Sequence, residues 1–225
     1  MARGETARGA EAAGKTILIT GATSGLGLAT AEALAAMRAR VILGAHSAHS
    51  GEDARRRVSS AAENDDVHVV VGDLASQSAV LEMAKEIQGR FDRLDVLINN
   101  AGVDVGTRQT TVDGLELTFA INYVAPFVLT TSLLELLEAD APARVLNVVS
   151  SGYKGGKIEL ADLQGERRFS GQRAYNNSKL ALVLFTYELA RRVAGTGVTA
   201  ACRAALGDDR ATRPCSGRTL TRWVG

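Results

Sequence analysis

Residues 16–27 read TILITGATSGLG. The first five are β-branched or aliphatic with no polar alternation, the pattern of a strand buried on both faces. From Thr20 to Gly27 the chain runs TGATSGLG, spaced Gly21-x-x-x-Gly25-x-Gly27, and a helical pattern over 25–38 follows. Strand, glycine loop and helix in that order let the backbone turn tightly and bring an anionic group onto a helix N-terminus. An ordinary glycine-rich turn is the other reading. Thr23, Ser24 and Leu26 are further candidate contacts among the loop positions beside the glycines.

The same alternation continues outward. Short apolar runs recur at RVILG 40–44, VHVVV 67–71, LDVLIN 94–99 and RVLNVV 144–149, with GVTAAC 197–202 as a sixth. Helical patterns fall between them at about 51–62, 76–88, 111–138 and 173–194. Strands alternating with helices predict a parallel sheet covered on both faces, and right-handed crossovers make it doubly wound. The expected fold class is therefore α/β, a Rossmann-type single domain over 14–203, with a leader at 1–13 and an irregular tail at 204–225.

Composition narrows the function. Twenty-six Lys and Arg against 25 Asp and Glu leave a net charge of +1, which is no footprint for nucleic acid or an anionic membrane. Cys202 and Cys215 match no metal or disulfide spacing. His46 and His49 lack Cys or carboxylate partners at metal spacing, so no metal site is expected. MARGETARGAEAAG has no apolar segment of signal-peptide type, and no run reaches membrane-span length. A cytoplasmic protein is expected. GAEAAGKT, Gly9–Thr16, matches the G-x-x-x-x-G-K-[ST] phosphate loop by letter, but its strand follows where it should precede.

Two further stretches carry chemistry. YNNSK places Tyr175 and Lys179 four apart on one helix face. An ammonium beside a phenol favours the phenolate and fits it for proton transfer; a solvated helix face is the plain alternative. In the pattern over 111–138, Pro126 has no N–H, so the carbonyl of Asn122 four residues back loses its helical donor. A kink there either frees that carbonyl to hold a water or merely shapes packing.

Together, TGATSGLG, GDL 72–74, NNAG 99–102, INYVAPFVLT 121–130, Ser150 in NVVSS and YNNSK lie in one order across residues 16 to about 200. In that order they resemble the short-chain dehydrogenase/reductase family, in its retinol-dehydrogenase-like carbonyl reductase branch. The resemblance implies an NAD(P)(H)-dependent oxidoreductase that moves a hydride between a nicotinamide and a small-molecule alcohol or carbonyl substrate. It assigns Tyr175 to proton transfer and Lys179 to the nicotinamide ribose. Ser150, three after Asn147, would bond the substrate oxygen, with Ser151 capping the loop, and Asn122 would anchor a relay water. Asp73 and Leu74 would lie by the adenine; Asn99 and Asn100 with Ala101 and Gly102 would line the cleft, though a lone Asn pair is otherwise a turn former.

The second strand ends LGAHS, with Ala45 and His46 where an acid would exclude a 2′-phosphate. NADP(H) is thus favoured over NAD(H), with help from His46 or Arg56. Tyr153 and Phe169 are the aromatic candidates for a substrate pocket, and relatives of this type pair as homodimers or homotetramers. The tail RAALGDDRATRPCSGRTLTRWVG departs from the pattern, with no Pro-Gly turn and no further apolar period. It is expected to lack the last strand and the substrate-covering helix. That keeps open an alternative: a non-catalytic or folding-impaired dinucleotide-binding relative.

Overall fold

The run Thr16–Thr20 forms β1, and all five of its residues are buried. The computed structural model describes residues 12–204. In chain order β1 is followed by α1 (Gly25–Ala36), β2 (Arg40–Ala45), α2 (Ala48–Ala62), β3 (Val67–Val71), α3 (Gln77–Arg90) and β4 (Val96–Asn99). A broken helical run leads to β5 (Ala143–Val149), then the helix Gly171–Arg192 leads to β6 (Val198–Ala204). All pairings are parallel, in the order β3-β2-β1-β4-β5-β6. This is the doubly wound order whose reversal point lies between β1 and β4.

The unalternating strands have a physical reason, since both sheet faces are covered. Leu18, Ile42, Leu97 and Val145 enter one core with Met83, Ile87, Leu129, Leu133 and Leu182. Ile17, Ile19, Val41, Leu43 and Ile98 enter the other with Leu28, Ala31, Ala54 and Val58. Ala12 belongs to this second core, so packing extends into the segment read as a leader. The rest of that leader and residues 205–225 lie outside the described residues, and with them the expectations about the tail.

The sequence pattern over 111–138 predicts one long kinked helix, and the structure differs. Thr110 and Glu116 form an isolated antiparallel bridge, and helix begins only at Leu117. The run is then α4 (Leu117–Phe119), a π turn (Ala120–Val124), α5 (Ala125–Ser132) and α6 (Leu134–Ala139). Glu116 sets the start, its carboxylate accepting from the N–H groups of Thr118 and Phe119 at 2.9 and 2.8 Å. Pro126 withholds the donor an α turn would need, and the wider π turn lies at that place. The helix bearing Tyr175 and Lys179 is α7 (Gly171–Arg192).

Lys15 and Thr16, the end of the phosphate-loop letter match set aside above for its inverted order, stand at the opening of β1. Lys15 Nζ bonds Asp95 Oδ1 at 2.7 Å, and the Thr16 N–H bonds Asp95 Oδ2 at 2.9 Å. Both sit at the amino end of β1, away from its glycine loop; Gly9 to Glu11 lie outside the described residues. Among the described residues no helix is long and apolar enough to cross a membrane, and no group of His, Cys, Asp or Glu is arranged to hold a metal.

Candidate active site

The reversal between β1 and β4 leaves a crevice at the carboxyl ends of the strands, and a cleft of about 900 Å³ opens there. Its floor is the glycine loop. Gly21 has φ +64°, and a Cβ on it would stand 2.9 Å from Ala101 Cα. A Cβ on Gly27 would fall 2.3 Å from Gly21 O and 2.5 Å from Asn100 Nδ2. Only glycine fits at that second position, because loop, helix and β4 converge there.

Side chains from the two loops interlock beneath the cleft. Thr20 Oγ1 accepts from the N–H groups of Asn100 and Ala101, each at 3.1 Å. Asn100 Nδ2 donates to the carbonyls of Thr20 and Gly21 at 2.9 and 3.3 Å. The helices on either side are capped by serine, with Ser47 accepting from the Ser50 N–H and Ser76 from the Ala79 N–H. Ser24 makes no such cap for α1. The first N–H groups of α1 are thus left without a side-chain acceptor, beside a glycine floor that brings backbone close to any occupant. That donor set and shape fit a dinucleotide pyrophosphate.

Most of the expected cofactor contacts line this cleft: Thr23, Ser24, Gly25 and Leu26 with Gly21 and Gly27; His46, Asp73 and Leu74; Asn100, Ala101 and Gly102; and Tyr175 with Lys179. Asn99 does not. Its side chain is buried beneath β4, where Nδ2 bonds Thr130 Oγ1 at 3.0 Å and Asn147 Oδ1 at 2.8 Å. Asn147 in turn donates to Thr186 Oγ1 at 2.8 Å. Asn99 is neither a cleft residue nor a turn former; it ties β4 and β5 to α5 and α7.

At the other end of the cleft, Lys179 is only 4% exposed. Its Nζ donates to the Val148 carbonyl at 3.0 Å and stands 5.8 Å from the centre of the Tyr175 ring. No carboxylate pairs with it among the described residues. Burial without a counter-charge pulls its ammonium down from the ordinary 10.5 to about 8. A Cβ on Gly102 would lie 3.2 Å from Lys179 Nζ and 3.3 Å from Asn122 Oδ1, so glycine leaves room for both groups beside the loop after β4.

Asn122 is fully buried and does not line the cleft itself. Its Oδ1 accepts from the Val103 N–H at 2.8 Å, while Nδ2 donates to the Val103 carbonyl and to Ser178 Oγ at 2.9 and 3.0 Å. Ser178 then donates to the Tyr175 carbonyl at 2.8 Å. The side chain therefore joins the β4 loop, the π turn and α7, a role that reading for its carbonyl alone does not reveal. Ser178 carries no sequence signal beyond its place before Lys179.

Ser150 follows β5, next to the cleft-lining Val148 and Val149. Its Oγ accepts from the Gly152 N–H at 3.2 Å and caps the 3-10 turn Ser151–Gly155. The capping expected of Ser151 thus belongs to Ser150, which stands where the strand ends and the turn begins. A Cβ on Gly152 would be 2.6 Å from Asn176 Oδ1, so this turn packs against α7 directly beside Tyr175. Neither aromatic candidate lines the cleft. Tyr153 packs against the core, and Phe169 lines a small separate hollow with Glu116 and Arg173. Arg56 pairs with Asp53 at 2.5 Å and is absent from the cleft wall.

The short chain dehydrogenase family profile matches residues 15–206. Retinol dehydrogenase 12 of Mus musculus is 42% identical over 187 residues, covering 83% of this chain; the chain spans 59% of that protein's length. An uncharacterised protein of Mycobacterium paratuberculosis superposes with a TM-score of 0.76 at 38% identity, over 85% of this chain and 68% of that one. The RhlG/NADP active-site complex of Pseudomonas aeruginosa superposes with a TM-score of 0.70 at 29% identity, over 85% of this chain and 72% of that one. The chain belongs to the short-chain dehydrogenase family and is similar within it to the retinol dehydrogenases.

Proposed function

We propose that this chain is an NADP(H)-dependent oxidoreductase that interconverts an alcohol and its carbonyl compound, with Tyr175, Lys179, Ser150 and Asn122 as its working set. The observation that carries the reading is Lys179: an ammonium buried against Val148 and Tyr175, at the inner end of a cleft with a glycine floor. A cleft that only held a ligand would have no need for so costly a group.

A bound nicotinamide supplies or takes the hydride at the carbonyl carbon. Tyr175 gives the proton to the substrate oxygen or removes it. Lys179 holds positive charge beneath the phenol and binds the nicotinamide ribose. Ser150 accepts from Gly152 and so keeps its own O–H to donate to the substrate oxygen as charge develops there. Asn122 fixes the Val103 backbone by its side chain, and its own carbonyl, denied a donor by Pro126, takes the relay water. The cofactor preference rests on the absence of an acid after β2 and on a family neighbour bound to NADP. A homodimer or homotetramer through α5 and α7 fits the same reading, since Phe127 of α5 stays 42% exposed beside Phe185 of α7.

The test is carbonyl-dependent oxidation of NADPH across a panel of aldehydes and ketones. Tyr175→Phe should lower kcat by ~100-fold or more while NADPH still binds. Full activity in Tyr175→Phe would remove the phenol from the mechanism. The second reading, a non-catalytic dinucleotide-binding relative, predicts binding without turnover in the wild type; the buried, unpaired Lys179 weighs against it.

A further inference from the structure

Besides Tyr175, the ionisable side chains lining the cleft are His46 and Asp73 at one end, Lys179 at the other, and Asp104, which the dinucleotide does not use. Asp104 belongs to the loop after β4, and both of its neighbours are fixed. The N–H and carbonyl of Val103 are held by the Asn122 side chain at 2.8 and 2.9 Å. On the other side, a Cβ on Gly171 would stand 2.4 Å from the Val105 carbonyl oxygen, so the loop lies against the first turn of α7, one turn before Tyr175. Two residues back, a Cβ on Gly102 would lie 3.2 Å from Lys179 Nζ. Asp104 is therefore held at the reacting end of the cleft.

The protein does not answer this charge. Asp104 is exposed, and among the described residues its carboxylate makes no hydrogen bond or ion pair. Arg108, in the same loop, bonds the Gln164 carbonyl at 3.0 Å and Thr110 Oγ1 at 2.9 Å. Arg173, in the first turn of α7, lines the separate hollow with Glu116 and Asp162. Lys179 is 4% exposed and turned to the Val148 carbonyl. The second acid of the cleft, Asp73, follows β3, three strand spacings or about 14 Å across the sheet from β4, where His46 stands 3.7 Å from it. The charge that a ligand meets on the open side of the reacting end is thus that of one carboxylate.

We propose that Asp104 sets the charge preference of the substrate site, so that carbonyl compounds carrying an ammonium group are taken ahead of those carrying a carboxylate. The inference rests on the reading of the cleft as that of an alcohol–carbonyl oxidoreductase. A substrate whose carbonyl lies at Tyr175 extends its remaining atoms along the open side of the cleft, past the loop that carries Asp104. A carboxylate on a cleft wall acts on such a substrate more strongly than one on a flat surface, because the low-dielectric walls focus its field. Rejection of anions contributes to the preference as much as attraction of cations.

The experiment measures kcat/KM at saturating NADPH, neutral pH and low salt for benzaldehyde and for its 4-trimethylammonium and 4-carboxylate derivatives, with the wild type, Asp104→Asn and Asp104→Lys. The readout is the ratio of the cationic to the anionic aldehyde within each protein, which cancels any change in overall activity. The difference in intrinsic reactivity between the two aldehydes is common to all three proteins. The wild-type ratio should exceed that of Asp104→Asn by ~10-fold, and Asp104→Lys should fall below Asp104→Asn by a similar factor. In about 0.5 M NaCl the wild-type advantage over Asp104→Asn should shrink to within ~2-fold. Equal ratios in the three proteins, or reduction of benzaldehyde alone, would overturn the assignment of Asp104 and leave the oxidoreductase reading standing. A wild type inert toward all three aldehydes would overturn both.

Discussion

Lys179 carries a cost in stability that can be set against the role proposed for it. Its folded-state pKa, about 8, lies below the ordinary 10.5. The penalty of burying the ammonium is therefore full below about pH 8. Between about 8 and 10.5 the unfolded chain holds a proton that the folded chain has released, so stability rises with pH across that window. The shift corresponds to on the order of 3 kcal/mol, part of which the bond to Val148 returns. Lys179→Met should raise the stability of the ligand-free protein by roughly 1–2 kcal/mol at pH 7 and abolish that pH slope; urea melts at pH 7 and 10 read both effects. A variant destabilised at pH 7 would mean that the ammonium has a counter-charge in solution. Gly27→Ala tests the cradle, since its new methyl would meet Gly21 O at 2.3 Å. It should cost about 1–3 kcal/mol and lose cofactor binding, whereas an unchanged NADPH affinity would show that the loop has room to move. The YNNSK spacing and the glycines were legible in sequence because each works through its own backbone or its own helix face. Ser178 and Asn99 were not, because their roles depend on partners 56 and 48 residues away.

Between elements, Asp95 joins the amino ends of β1 and β4. Burial opposes its ionisation, but hydrogen bonds from Arg93, Lys15 and the Thr16 N–H outweigh it and bring the carboxyl from the ordinary 3.8 to about 2. A depressed carboxyl contributes stability that is complete above about pH 4 and lost as pH falls through about 2. Asp95→Asn should cost on the order of 2 kcal/mol at pH 7 and flatten the acid limb of the stability curve between pH 4 and 2. An acid limb identical to the wild type would assign it to other carboxylates. The π turn is a second junction. Pro126→Ala returns an N–H to the carbonyl of Asn122, so an ordinary α turn can form; stability should hold or rise slightly while kcat falls, and retained kcat would separate that carbonyl from proton transfer. Strand positions were readable from sequence to within two residues, because buried parallel strands are apolar on both faces. The helical run before β5 was not, because its apolar period passes unbroken over Glu116, whose carboxylate starts the helix late, and over the π turn.

The whole molecule is a sheet whose two cores converge on one cleft, with the glycine floor, the His46 rim and Lys179 brought together from strands β1, β2, β4 and β5 and helix α7. Among the described residues Phe127 is one of several exposed large apolar side chains, and it is set edge-on against Phe185 at 5.3 Å. If α5 and α7 pair copies of the chain, Phe127→Lys should convert a dimer or tetramer to monomer in light scattering; an unchanged mass would move the interface elsewhere. The most direct measurement is the thermal unfolding of the purified chain alone, with NADPH and with NADH. A ligand at a hundredfold excess over its dissociation constant adds about 2.7 kcal/mol of stability. A cooperative transition raised by NADPH, and less by NADH, is the predicted result; a cooperative transition that neither cofactor moves would contradict the assignment of this cleft.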